Sequence, residues 1–505
     1  MPKTGISGQL LAFCTYSLIW NILDKMGKCY NEAEQIHAIR NENKREESPM
    51  HPLLVGAAKA SINPTPDMYP IPNKMSDFDL EPMSQEAAYD ELSCRAIAID
   101  TGTDRLLFLT FELAGAPDFP NYPADIARAT GFPENGIFIM GTHNHSAPRY
   151  RKDQVNTPDL SRWIDRYESL VYHAGITACQ EAAAALRPAM YGYGEFISAI
   201  NVNRNLLSFG GYWVEAPNRT GYSDKTLSVI KFVDLDGNLI AAFLNHPTHA
   251  TNIYMLKDSD HKAKTSGNFT GIACRFVEQH YGGGAVAMWT SGAAGNQNPV
   301  LSHGLQYEYP DGYTSQVQYP DGTGYMQMEY MGRIHGADCC KGLDAITHYS
   351  IHMPVAHAVK DIVLPTLECV EQWPPKSFSE VRSGGNGLRD YEKVPYGDLP
   401  APGKVPAMIP GKPRHLYLHL LQMGHIAMLF ANAELFAEIG RDMKDASPIK
   451  NTIIVTHHYG PKCHYIFDKT SKDVRLPMAY GGVAPGQADD LIVAGERELF
   501  DDILA

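Results

Sequence analysis

Apolar residues recur along this chain in short β-branched and aromatic runs, with longer stretches at helical spacing between them. Such runs predict strands when Asn, Asp, Gly or Pro bound them, and apolar positions three or four residues apart predict helices. The predicted strands are residues 53–62, 94–100, 106–111, 137–140, 227–233, 239–244, 285–289, 416–421, 425–430 and 452–455. The predicted helices are residues 124–130, 160–186 and 271–280. This alternation predicts an α/β or mixed α+β fold, in one large domain whose mixed sheets are flanked by helices.

Two segments break the alternation, at about 302–325 and 373–413. The first repeats a Tyr-Pro-Asp-Gly turn, and the second is rich in Pro and Gly. We interpret the first as an active-site flap or an interaction loop, with a plain surface insertion equally open, and we expect both to shape the pocket. Residues 1–49 carry a charged run, and we interpret them as an extension that precedes the domain of residues 50–505, with disorder as one interpretation.

Charge and cysteine content exclude several classes of partner and site. Across 505 residues the formal net charge is −14, and the acidic residues are spread along the chain. Nucleic acids and anionic membranes need a basic face, so the expected partner is a small-molecule substrate, with no nucleic acid and no stable membrane association. Nine cysteines are scattered without a C-x-x-C pair, which fits a reducing, cytoplasmic location. Secretion stays open if residues 1–25 act as a signal.

Two histidines follow the predicted strand at 137–140, where the apolar run ends in a Gly-Thr turn. Alternate side chains of an extended backbone share a face, so His143 and His145 point the same way. Two imidazoles there suit a metal ion, or one ligand and one proton carrier, and an ordinary surface or core role is about equally open. Further metal-type side chains follow other predicted strands, namely His246, Glu434 and Tyr465. Each has an ordinary explanation alone, but their shared placement at strand ends favours a site.

The motifs around these residues resemble those of the neutral (alkaline, non-lysosomal) ceramidase superfamily, over roughly residues 53–485. Thr142–Pro148 resembles the T-H-T-H-S-G-P motif of that family, and Asn203-Arg204 resembles its N-R motif. His246-Pro247-Thr248 is similar to its H-P loop. Ala433–Phe436 is similar to its G-E-F segment, and Cys463–Tyr465 to the segment that ends in a metal-binding tyrosine. Single motifs of this kind are weak, but five in the right order are fairly specific.

The resemblance implies a single zinc ion held by two histidines, one glutamate and one tyrosine. The counterparts by position are His143, His246, Glu434 and Tyr465. His145 becomes the candidate proton shuttle, and Arg204 would hold the carbonyl oxygen or a substrate anion. The implied reaction is hydrolysis of an amide, or of a related ester or lactone, by water that Zn²⁺ activates.

The chain departs from the family pattern at several positions. The loop that is G-D-V-S-P-N in the family is Gly295–Val300 here, with Asn296 in place of the acid and Asn298 in place of a functionally important serine. Asn298 keeps a candidate catalytic position, but an amide cannot act as a nucleophile, so only a zinc–water mechanism survives. Ala147 replaces a glycine. We also expect the C-terminal immunoglobulin-like domain of ceramidases to be missing and the substrate to be soluble rather than ceramide.

Four alternatives stay open from the sequence. The chain could be a true ceramidase, an enzyme of the amidohydrolase superfamily, a non-catalytic binding homologue that Asn296 and Asn298 suggest, or a structural protein. The amidohydrolase alternative fits less well, because its His-x-His pair lies on the first strand of a (β/α)₈ barrel. The sequence leaves the identity of the substrate and the oligomeric state open.

Overall fold

The structure is a computed structural model that describes residues 52–69, 71–72, 82–83, 88–148, 158–207, 213–252, 264–301, 305–308, 314–317, 323–369, 408–472, 474, 482–484 and 486–504. The predicted extension at 1–49 lies outside the described residues, and so do most of the two irregular segments. In the first segment the structure describes a short hairpin and the start of a helix, and in the second it describes residues 408–413. The proposed roles of these segments stay predictions.

Helices and strands alternate along the described chain. The helices are α1 (Tyr122–Thr130), α2 (Pro158–Ala184), α3 (Asn268–Tyr281), α4 (Thr323–Ala345), α5 (Ala437–Ala446) and α6 (Asp489–Leu504). The strands are β1 (Leu54–Ser61), β2 (Ile71–Pro72), β3 (Pro82–Met83), β4 (Ser93–Asp100), β5 (Arg105–Phe111), β6 (Ile137–Gly141), β7 (Arg187–Ile197), β8 (Asn201–Leu207), β9 (Trp213–Asn218), β10 (Thr226–Asp234), β11 (Leu239–His246), β12 (Val286–Ser291), β13 (Gln297–Pro299), β14 (Leu305–Glu308), β15 (Thr314–Val317), β16 (Val355–Leu364), β17 (Leu367–Cys369), β18 (Met408–Pro410), β19 (Arg414–Met423), β20 (Ile426–Phe430), β21 (Glu434–Leu435), β22 (Asn451–Val455) and β23 (Tyr465–Ile466).

Two mixed sheets form the centre of the fold. The larger has the strand order β12-β11-β10-β7-β1-β4-β5-β6, and the smaller has the order β16-β19-β20-β22. The β5–β6, β11–β12 and β20–β22 pairs are parallel, and the remaining pairs in these sheets are antiparallel. The predicted mixed α/β class is therefore confirmed.

Strand alternation gives each sheet two buried faces. On the larger sheet Phe108 and Phe138 face the smaller sheet, and the ring centroids of Phe138 and Phe430 lie 4.7 Å apart. Leu107 and Leu109 point the other way, into a core shared with α1 and α2. Helices α3 and α4 pack on the same outer face of the larger sheet, while α5 and α6 cover the outer face of the smaller one. The result is a helix–sheet–sheet–helix sandwich.

Several described elements went unpredicted or differ from the prediction. The polar run Asn201–Asn205 is not among the predicted strands, but it lies within β8, which pairs with β13 and β9 in a small separate sheet. Helices α4 and α6 and strand β16 were not predicted. No described helix is both long enough and apolar enough to cross a membrane.

Candidate metal centre

A cluster of buried and half-buried side chains lies where loops next to both sheets meet. His143 and His145 follow β6 of the larger sheet, and His249 lies in the loop after β11. Glu434 follows β20 of the smaller sheet, and Tyr465 comes from β23. β21 and β23 are parallel, and Glu434 pairs directly with Tyr465. Residues facing each other across a ladder share a side of it, so this short pairing places the carboxyl and the phenol together.

Two imidazoles of the cluster have their outer nitrogens fixed by backbone carbonyls. Nδ1 of His143 donates to the carbonyl of Ala114 at 2.9 Å, and Nδ1 of His249 donates to the carbonyl of Ala294 at 2.6 Å. Burial lowers the pKa of His249 to about 4, so this ring is neutral near pH 7. Nε2 of each ring is therefore left with a lone pair that faces the cluster. A carbonyl behind the ring is a common arrangement for a metal-binding histidine.

Glu434 brings an anionic acceptor to the same point. Its Oε2 lies 3.4 Å from Nε2 of His143 and 3.4 Å from Nε2 of His249. This oxygen is buried and has no hydrogen-bond partner among the described atoms. Such an atom is costly unless a proton or a cation compensates it. Three converging lone pairs thus form a site for a cation.

The spacing of the donor atoms fits a small divalent metal. Nε2 of His143 lies 3.2 Å from Nε2 of His145, and the Tyr465 hydroxyl lies 3.4 Å from Nε2 of His249. With metal–donor bonds of about 2.0–2.2 Å, the donors of a tetrahedral zinc site are about 3.3–3.6 Å apart. The buried group His143, His145 and His249 could therefore bind a metal, with Glu434 beside it.

Arg204, which lies on β8, contacts the cluster through the Tyr465 hydroxyl. Its Nη2 donates to the Tyr465 hydroxyl at 3.0 Å and to the carbonyl of Gly295 at 2.8 Å. Its Nη1 donates to Oδ1 of Asn298 at 3.2 Å and to Oε1 of Glu215 at 3.3 Å. Burial and the Glu434 charge raise the pKa of Tyr465 above its usual value, whereas the Arg204 guanidinium opposes that shift. Arg204 is thus the group that favours a phenolate at Tyr465.

The structure brings most of the predicted site residues together, and it places one of them outside the cluster. His143, His145, Glu434, Tyr465, Arg204 and Asn298 all lie in or beside the cluster. His246 does not. Its Nε2 donates to the carbonyl of Ser198 at 2.9 Å, and its Nδ1 accepts from Oγ1 of Thr248 at 2.7 Å. Both ring nitrogens are therefore occupied outside the cluster.

The position of His246 follows from strand alternation. His246 is the last residue of β11 and shares a face with Leu244, which points toward α3 and α4. Its ring lies 5.1 Å from that of His335 on α4. His249 follows three residues later, after the loop has turned back toward the other sheet. The segment His246-Pro247-Thr248-His249 contains a second histidine. The alternation of side chains along β11 places His246 on the face away from the cluster, and this would have favoured His249.

Two neighbours of the cluster, one half-buried and one buried, were missed from the sequence. Glu215 on β9 accepts hydrogen bonds from Arg204 and from Nδ2 of Asn298, at 3.3 Å and 3.2 Å. His457 follows β22 and lies with its ring against that of His143, with centroids 3.9 Å apart. His457 follows an apolar strand, as His143 does, so the strand-end rule could have found it.

Comparisons with known proteins find similarity to the same family that the motifs resemble. No protein-family profile matches the chain. A neutral ceramidase from Pseudomonas aeruginosa is 29% identical over 180 residues, which are 34% of this chain and 25% of that protein. The crystal structure of neutral ceramidase from Pseudomonas aeruginosa matches 89% of this chain and 74% of that one, with a TM-score of 0.61 and 17% identity.

The chain is neutral ceramidase-like in sequence and in fold. A ceramidase solved in complex with C2 agrees, with a TM-score of 0.62, 17% identity and coverage of 90% of this chain and 76% of that one. The predicted resemblance is thereby confirmed. The sequence alignment covers 25% of the length of the curated neutral ceramidase.

Proposed function

We propose that this protein is a zinc-dependent hydrolase that cleaves an N-acyl amide, or a related ester or lactone, of a soluble small-molecule substrate. The observation that supports it is the convergence of two imidazole nitrogens on a buried carboxylate oxygen that has no hydrogen-bond partner among the described atoms. Nitrogen and oxygen donors at this spacing suit Zn²⁺. The similarity to neutral ceramidases supports hydrolysis as the reaction.

His143, His249, Glu434 and Tyr465 would hold the metal. A bound zinc ion would supply an acidified water and polarise the carbonyl of the substrate. The Ala114 and Ala294 carbonyls hold the two imidazoles in the tautomer that leaves Nε2 free. Arg204 donates to the Tyr465 hydroxyl and so favours its anionic, metal-binding form.

His145 is the proposed acid–base group. Its Nε2 lies 3.2 Å from Nε2 of His143, so it borders the ligand cluster. From there it can take a proton from the attacking water and return it to the leaving nitrogen. Asn298 cannot supply a nucleophile, and its amide instead accepts from Arg204 and donates to Glu215.

A true ceramidase is the second candidate. It is favoured by the relatives themselves, since the sequence match and both structures are ceramidases. The acidic net charge of −14 favours the soluble substrate instead, because an anionic bilayer would repel such a chain.

A metal analysis coupled to a hydrolysis screen tests both candidates. The purified protein should carry about one zinc per chain, and Glu434→Gln should lose it. Glu438→Gln is the matched control, because Glu438 is a buried glutamate that lies outside the cluster. The zinc-loaded protein should hydrolyse at least one compound among N-acyl amines, N-acyl amino acids, lactones and short-chain ceramide. A wild-type protein without zinc affinity would overturn the proposal, and turnover confined to ceramide would select the second candidate.

A further inference from the structure

The ring of His457 lies flat against the ring of His143. Their centroids are 3.9 Å apart and their planes differ by 14°. The rings of His145 and His249 meet His143 edge-on, with interplanar angles of 82° and 71°. Both stacked residues are buried, with exposed fractions of 5% for His143 and 7% for His457.

The backbone around His457 is fixed from both sides. The amide of Gly141 donates to the carbonyl of His457 at 3.1 Å, and the amide of Tyr459 donates to the carbonyl of Ile139 at 2.9 Å. The amide of Thr456 donates to the carbonyl of Ser291 at 2.8 Å. The loop is thus joined to β6 and to the end of β12 in front of His143.

His457 and His143 share an unusual backbone conformation. Each has a φ of 57°, in the left-handed region that residues other than glycine seldom adopt. Conformations of this kind persist where the surroundings over-determine them, and they concentrate at functional sites. Here two strained residues bring two rings into parallel contact.

We propose that His457 is a positioning residue that holds the imidazole plane of the metal ligand His143. The hydrogen bond from Nδ1 of His143 to Ala114 fixes one direction of that ring but leaves it free to tilt about the bond. The flat face of His457 removes this freedom and keeps Nε2 aimed at Glu434. Partners that orient a ligand in this way commonly change metal affinity about 10–100-fold. The inference rests on the proposed zinc site.

Two substitutions distinguish the effect of the stacked ring face from the effect of the imidazole nitrogens. His457→Asn tolerates the positive φ but removes most of the stacked surface, and His457→Phe keeps a flat ring without nitrogen. We expect His457→Asn to weaken zinc binding about 10–100-fold in a chelator competition and to change the visible spectrum of the Co²⁺-substituted protein. His457→Phe should bind zinc within about threefold of the wild type.

His458→Asn is the matched control, because His458 is the next residue and its ring lies 5.3 Å from that of Phe430 in the core between the sheets. It should retain wild-type zinc affinity. Equal zinc affinity and equal Co²⁺ spectra in His457→Asn and the wild type would overturn the inference. A loss of equal size in His457→Phe would also overturn it, since a ring nitrogen and not the ring face would then be responsible. A wild-type protein that binds no zinc would overturn the proposed function itself.

Discussion

Nδ2 of Asn296 donates a hydrogen bond to Oε2 of Glu438 at 2.7 Å, and both side chains are buried. Oδ1 of Asn296 accepts from the backbone amide of Ala437 at 2.9 Å, at the start of α5. The carbonyl of Asn296 accepts from the amide of Arg204 at 2.9 Å. The resemblance to ceramidases places an aspartate at Asn296. Beside Glu438 an aspartate would put two carboxylates in contact, so the amide fits its neighbour.

Asn296→Asp should therefore destabilise the protein at pH 8. The lost donor and the new repulsion should lower the free energy of unfolding by about 2–3 kcal/mol. The double variant Asn296→Asp with Glu438→Gln restores one donor between the two side chains and should recover most of the loss. Thermal unfolding of the three proteins checks this, and an unaltered midpoint in the single variant would contradict it.

Glu496 on α6 should make stability depend on pH. Burial raises its pKa to about 8, and neither of its oxygens has a hydrogen-bond partner among the described atoms. Between the ordinary glutamate pKa near 4.5 and about 8 the folded state keeps a proton that the unfolded state loses. Stability therefore falls across this window as pH rises, by about 1.4 kcal/mol per unit at most, and levels off above it.

Glu496→Gln removes this titration. The variant and the wild type should have similar unfolding free energies at pH 5, and the variant should become the more stable protein by pH 8. Urea unfolding at several pH values measures the difference. A difference that does not change between pH 5 and pH 8 would show that the Glu496 carboxyl is not protonated in the fold.

The two histidines of the loop after β11 should respond differently to alanine. His249→Ala removes a proposed ligand and should weaken zinc binding about 100-fold or more. His246→Ala should keep one zinc per chain, because its nitrogens are bonded to Ser198 and Thr248. It should instead cost about 1–3 kcal/mol of stability, since buried partners are left unpaired. Zinc analysis and thermal unfolding of both variants decide the point.

His145→Gln should separate chemistry from metal binding. A proton carrier that is not a ligand can be removed with zinc retained, and kcat should fall about 10²–10⁴-fold. The pH profile of kcat/KM should lose the limb that the imidazole supplies. If zinc leaves together with activity, His145 is a ligand, and the proposed division of roles between His143 and His145 is wrong.

Much of the architecture could be predicted, because most strands and helices have local sequence patterns that indicate them. β6, the β4–β5 and β10–β11 hairpins, α2 and α3 follow from periodicity and turn residues alone. β8 could not be predicted with confidence, since its asparagines and Arg204 are polar and their burial depends on partners distant in the chain. Polar strands of this kind are a common place for local rules to fail at functional sites.

The candidate site was predictable in part for the same reason. Strand ends pointed to His143, Glu434 and Tyr465, but the choice between His246 and His249 needed the direction of a side chain beyond the end of β11. The pairing of Asn296 with Glu438 joins residues from separate segments, and no sequence spacing encodes it. Long-range contacts of this type appear only when the sheets are packed.

The donor atoms of the cluster come from segments that adjoin both central sheets, so the cluster forms only when these segments are assembled. His143 and His249 belong to the half of the chain that builds the larger sheet, while Glu434 and Tyr465 belong to the last quarter. Neither of these two parts of the chain alone carries a complete set of donor atoms. High affinity for the proposed zinc ion would therefore arise only after the sheets have packed together, and the rate of zinc uptake during refolding would report the final step of folding.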